Sequence, residues 1–147
     1  MTNRFMTAAL KEAKKAFMED EVPVGAVITY KGEIIAKAHN LRETYNRATA
    51  HAEILAIEKA CSVLNNWYLN DCDLYVTLEP CIMCAGAIIN SRIRNLYFGA
   101  FDPKAGACGS VIDVFTLKEL NHRVTVYAGI MEDECASILT EFFKSKR

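Results

Sequence analysis

Two short stretches of the chain carry residues whose chemistry is complete only if folding brings them together. Thr77-Leu-Glu-Pro-Cys-Ile-Met-Cys-Ala-Gly-Ala87 holds two cysteines three positions apart, directly after a proline. Ala50-His-Ala-Glu-Ile-Leu-Ala-Ile57 holds a glutamate two positions after a histidine. His51, Cys81 and Cys84 offer three soft or borderline metal ligands. Structural zinc sites close with four protein ligands, whereas catalytic sites use three and leave a position open. Cys81 and Cys84 stand at i and i+3, on one face if the segment is helical. Pro80 favours a helix beginning there, and a first helical turn stabilises thiolates. His51 lies at the predicted start of a second helix, so the fold must point two helix starts at one place. Glu53 poses a difficulty, because two helical positions separate side chains by about 200°. The conflict eases if His51 belongs to the irregular approach to its helix.

Each element also has a plainer reading. A C-x-x-C pair in an intracellular protein can be a redox pair. A histidine at a helix start can be a cap, and a glutamate in a first turn can serve the helix dipole. Their joint occurrence favours a metal site. The remaining cysteines, Cys61, Cys72, Cys108 and Cys135, have no second ligand at metal spacing and read as buried small hydrophobes.

At 147 residues the chain fits one domain, expected to span 1–147, and can bury roughly 70% of its unfolded surface without disulfides. The N-terminus is broken early by Lys11, Glu12, Lys14 and Lys15, which argues against a signal peptide and for a cytoplasmic protein. There, six cysteines suggest metal or catalytic use rather than a disulfide framework. No apolar run is long enough to span a membrane. A net charge of −1 excludes a general nucleic-acid coat but not a local basic patch.

Along the chain, residues 3–19 show a helical period with Phe5, Ala8, Ala9, Ala13, Ala16 and Phe17 on one face, ending before Pro23. Residues 24–30 and 33–38 read as strands joined by a Lys31-Gly32 hairpin. A helix follows from 50 to 63, with His51, Ile54, Leu55, Glu58 and Cys61 on a face. Then come a strand at 74–78, a helix from Cys81 to Ser91, a strand at 95–100 and a loop from 101 to 110. A short helix is expected over 111–120, a strand over 124–128, and a closing helix over 131–144 with Cys135, Ile138, Leu139, Phe142 and Phe143 inward. Strands alternating with helices after a hairpin predict an α/β fold of three layers, α-β-α, around a five-stranded mixed sheet.

The pattern H-x-E with P-C-x-x-C is the signature of zinc nucleobase deaminases. Beyond it, Glu21-Val-Pro-Val-Gly-Ala-Val27, Ser91-Arg-Ile93, Phe98-Gly-Ala100, Asn121-His-Arg-Val124 and Phe142-Phe143 with its basic tail resemble the bacterial tRNA-specific adenosine deaminases of the cytidine deaminase-like superfamily. The resemblance runs nearly the full length. One departure is that Arg47-Ala48-Thr49 stands where the family commonly has Asp-Pro-Thr.

The resemblance implies one Zn²⁺ held by His51, Cys81 and Cys84, with Glu53 moving protons. It implies conversion of adenosine to inosine at the wobble position of a tRNA anticodon loop, by a homodimer. It sets Asn40 beside the base, where residue type alone suggests a turn. Phe142 and Phe143 are expected at the RNA cleft, with Lys144, Lys146 and Arg147 on phosphates; Asp102 and Lys104 are expected to contact the anticodon loop. Two alternatives remain open at this level. One is a deaminase of guanine, cytosine or cytidine with the same ligands. The other is a non-enzymatic zinc or redox protein.

Overall fold

The computed structural model describes residues 2–146. Helix α1 (Arg4–Met18) leads into β1 (Gly25–Tyr30) and β2 (Glu33–His39), followed by α2 (Ala52–Leu64), β3 (Cys72–Leu78), α3 (Ile82–Asn90) and β4 (Asn95–Ala100). A single 3₁₀ turn (Val114–Thr116), β5 (Thr125–Tyr127) and α4 (Glu132–Ser145) complete the chain. The strands form one sheet in the order β2-β1-β3-β4-β5. β1 pairs antiparallel with β2 and β3, and β3, β4 and β5 run parallel. The mixed sheet and three layers are those the pattern predicts.

α1 and α4 pack on one face of the sheet and α2 on the other, with α3 beside it. A strand buried on both faces sends alternate residues to opposite layers. Ala26 and Ile28 of β1 and Leu74 and Val76 of β3 join Leu55, Ala56 and Ile88 below α2 and α3. Val27 and Tyr75 join Met6, Ala9, Leu10 and Cys135 beneath α1 and α4. Phe98, fully buried, contributes about 1.5–3 kcal/mol by its removal from water. Gly25 lets α1 come close: any Cβ there would overlap the Ala9 carbonyl.

Lys31 and Gly32 both take positive φ (52° and 78°), as a two-residue hairpin turn requires. Other expectations need correction. The helix expected over 111–120 shrinks to Val114–Thr116. Valine, isoleucine, phenylalanine and threonine favour helix weakly, and the amides of Val111 and Val114 donate to Gly106 and Ala107 instead of to a helical turn. α1 buries Met6, Leu10 and Glu12 with its alanines, while Phe5, Ala8 and Phe17 are only half-buried. The inner face of α2 is Ala52, Glu53, Leu55, Ala56, Ile57 and Ala60, rather than the one through Ile54, Glu58 and Cys61. Phe143 of α4 is half-exposed. All six cysteines are free thiols, with Cys72 and Cys135 buried and Cys61 and Cys108 only partly so.

Candidate metal centre

The parallel strands β3 and β4 end beside the starts of α2 and α3, the side of an open α/β sheet where ligands bind. His51 and Cys81 are the N-cap residues of α2 and α3. N-caps are normally Ser, Thr, Asp or Asn, whose oxygens take up free helix amides. Here neither side chain makes a capping bond, and both are left for other chemistry. The expected helix start at Cys81 thus shifts by one residue. His51 has extended backbone (φ −77°, ψ 154°), which removes the helical constraint on its direction relative to Glu53. His51, Glu53 and Cys81 line one pocket of ≈ 270 Å³, together with Asn40, Arg42 and Asp102.

The ligand atoms of His51, Cys81 and Cys84 all lie within 4.8 Å of one another. His51 Nδ1 is 3.7 Å from Cys81 Sγ and 3.6 Å from Cys84 Sγ. The group is positioned to bind a metal ion. Its charges point the same way. Donation from the Cys84 thiol, helped by His51, holds the Cys81 thiol down at about 3. The same bond to Cys81, with burial, drives the Cys84 thiol far above the usual thiol range. Two sulfurs sharing one negative charge against an imidazole form a donor set that a cation completes. The His51 imidazole is raised by its bond to Cys81, against burial and the nearby Arg42 charge. Burial pushes the Glu53 carboxyl up to about 7.

Asn40 is buried at the pocket wall. Its Oδ1 accepts from the Arg42 amide and its Nδ2 donates to the Val22 carbonyl, so it is turn residue and pocket residue at once. Asp102 lines the pocket and accepts from the Lys104 and Ala105 amides, while Lys104 is exposed outside it. Phe142 is buried edge-on against Phe17, at 5.6 Å between centroids, and Phe143 packs against Phe142. Lys146 pairs with Asp20, next to the pocket residue Glu21. The end of α4 therefore reaches the pocket's side of the molecule without lining the pocket. Lys144 is exposed there, and Arg147 lies outside the described residues.

Two carboxylates that sequence reasoning passed over organise the pocket rims. Glu21, 1% exposed, accepts from the amides of Glu43 and Thr44 and from the Thr44 hydroxyl. Glu79, 2% exposed, accepts from the amides of Asp102, Cys108 and Ser110 and from the Ser110 hydroxyl. Gly106 lies so close to Glu79 that a Cβ would overlap its carboxylate. Burial raises both carboxyls, but these donated bonds outweigh it and hold them below their ordinary 4.5. A depressed folded pKa contributes stability that is present above the unfolded value and is lost as pH falls through the folded one. Glu79→Gln is expected to cost about 1–3 kcal/mol at pH 7, because its amide NH₂ must face backbone donors. Thermal melts should show that gap narrowing below pH 4.5. A pH-independent gap would contradict the clamp.

Three side chains positioned to bind a metal ion, with no fourth His, Cys, Asp or Glu in the group among the described residues and a buried carboxylate lining the same pocket, have the donor number of a catalytic rather than a structural centre. The chain matches the family model of the MafB19-like deaminases over residues 2–147. It is 51% identical over 143 residues to a Bacillus subtilis protein named tRNA-specific adenosine deaminase, covering 97% of this chain and 89% of that one. A protein of the same name from Aquifex aeolicus is 52% identical, covering 97% and 94%. A solved structure from a study of A-to-I editing by tRNA:A34 deaminases superimposes with a TM-score of 0.90 at 49% identity, covering 92% of this chain and 99% of that one. The chain belongs to the tRNA-specific adenosine deaminase family.

Proposed function

We propose that the protein hydrolytically deaminates adenosine to inosine at the wobble position of a tRNA anticodon, as one domain spanning 1–147. The observation that carries this reading is identity near 50% with tRNA-specific adenosine deaminases over 97% of the chain, with His51, Cys81, Cys84 and Glu53 gathered at one pocket. The cofactor is Zn²⁺, on His51, Cys81 and Cys84. Zn–N bonds of about 2.0–2.1 Å and Zn–S bonds of about 2.3 Å at tetrahedral angles put nitrogen and sulfur about 3.6 Å apart. The separations of 3.6 and 3.7 Å support that fit. When bound, zinc supplies a water acidic enough to lose its proton near neutral pH.

The chain's own residues do the rest. Glu53 accepts a proton from the attacking water and passes it to adenine N1, then takes the second proton from the new C6 hydroxyl and gives it to the amine leaving C6. A carboxyl lifted by burial toward neutrality suits a group that both takes and gives protons. The pocket, at the small end of the ~300–1,000 Å³ usual for ligand sites, suits a single base splayed out of its loop. Asn40, held at both ends of its amide, presents a fixed polar edge to that base. Asp102 and the loop clamped by Glu79 form the opposite rim. Lys104, Phe142, Phe143, Lys144 and Arg147 contact the surrounding RNA, and a homodimer completes the RNA surface. A tRNA substrate places the protein in the cytoplasm, and no helix of the described residues is long and apolar enough to cross a membrane. Ammonia release from an anticodon stem-loop, compared with free guanine and cytidine, tests the substrate class. Turnover of a free base alone would overturn it.

A further inference from the structure

We propose that Arg42 binds a phosphate flanking the target nucleotide, and so makes the pocket select a base held in a polynucleotide over a free base. The inference rests on the deaminase reading above and adds to it a residue that selects the substrate. Arg42 is the lone lysine or arginine lining the pocket among the described residues. Among the described residues none of the five pocket carboxylates pairs with it: Glu21 and Glu79 are held by loop amides and hydroxyls, Asp102 accepts from its own turn, and Glu43 and Glu53 form no ion pair with it. Among the described residues, no side-chain hydrogen bond or ion pair engages the Arg42 guanidinium. An exposed cation at the pocket wall, left without a partner among the described residues, is a site for an anion brought by the substrate.

The backbone that carries it is fixed in advance. The Arg42 amide donates to Asn40 Oδ1 at 3.1 Å, and the next two amides donate to buried Glu21. Arg42 and Asn40 are therefore one rigid unit: the amide faces the base and the cation stands beside it. A free base has no phosphate and gains nothing from this cation. A nucleotide within RNA has one on each side. Just outside the pocket the Arg47 guanidinium sits 5.5 Å from the centroid of the exposed Tyr45 ring, and it extends positive charge along the same loop.

The test combines a protein change with a substrate change, using zinc-loaded protein and an anticodon stem-loop with adenosine at the wobble position. Arg42→Gln should lower kcat/KM about 10- to 100-fold, mainly through KM, with Arg42→Lys recovering part of the loss. The salt dependence of binding should flatten by roughly 0.7 in log–log slope, the value for one single-strand phosphate. Replacing the flanking linkages one at a time by neutral methylphosphonates should cost the wild type a similar factor at one linkage. That linkage should cost Arg42→Gln nothing further. Losses that multiply at both linkages, with an unchanged salt slope, overturn the role of Arg42 and leave the deaminase reading intact. Failure of the wild type to deaminate the unmodified stem-loop overturns both.

Discussion

Glu53→Gln should retain one metal ion per chain and lose deamination by about 10³-fold or more, at the upper part of the 10²–10⁴ range for general acid–base catalysis. The substitution keeps the side chain's size in a site only 4% exposed, so folding and the ligand cluster should be little changed. An amide cannot accept the water's proton or return one to N1 and the leaving amine. The loss should appear in kcat rather than KM, because binding of the base does not use the proton. Metal analysis and single-turnover rates on the same preparation check it. Full metal with undiminished turnover would remove Glu53 from the mechanism.

The second large effect concerns Cys84. It is fully buried behind the pocket, while Cys81 and His51 are partly exposed at its wall. Cys84→Ala deletes one of three ligands and leaves a small void in the buried interior. Metal affinity should collapse, and activity with it, because two ligands do not hold zinc against the solvent. Stability should fall as well, since a metal that binds only the folded state contributes its binding free energy to folding. Cys72→Ala is the matched control: an equally buried thiol on β3, away from the ligand cluster, should cost stability alone. Metal content and thermal melts with and without chelator separate the two. Equal metal content in both variants would contradict the ligand assignment.

The metal cluster was legible because it depends on local chemistry: ligand types at short spacing, a proline before the first cysteine, and helix starts. The five-stranded mixed sheet was legible for a similar reason, since the apolar runs of β1, β3 and β4 are nearly continuous, but the strand order β2-β1-β3-β4-β5 was not. The Glu53 direction was not. It turns on the extended dihedrals of His51, which no periodicity encodes. Residues 111–120 misled because apolar spacing resembled a helix while the backbone donated to Gly106 and Ala107. The clamps were hidden for a different reason. Glu21 and Glu79 matter through amides 22 to 31 positions away, and a lone glutamate near a proline gives no sign of that. Nothing in the sequence marks Arg42, because its place at the pocket wall follows from the fold of the loop after β2.

Action of the pocket beside His51, Glu53 and Cys81 on one base of one RNA loop is tested most directly by incubating zinc-loaded protein with a tRNA that carries adenosine at the wobble position and sequencing the product. Inosine reads as guanosine on reverse transcription. Conversion is expected at the wobble adenosine alone, and is expected to be absent with Glu53→Gln. An unconverted wobble base with the metal site fully loaded, or conversion scattered over other adenosines, would contradict it.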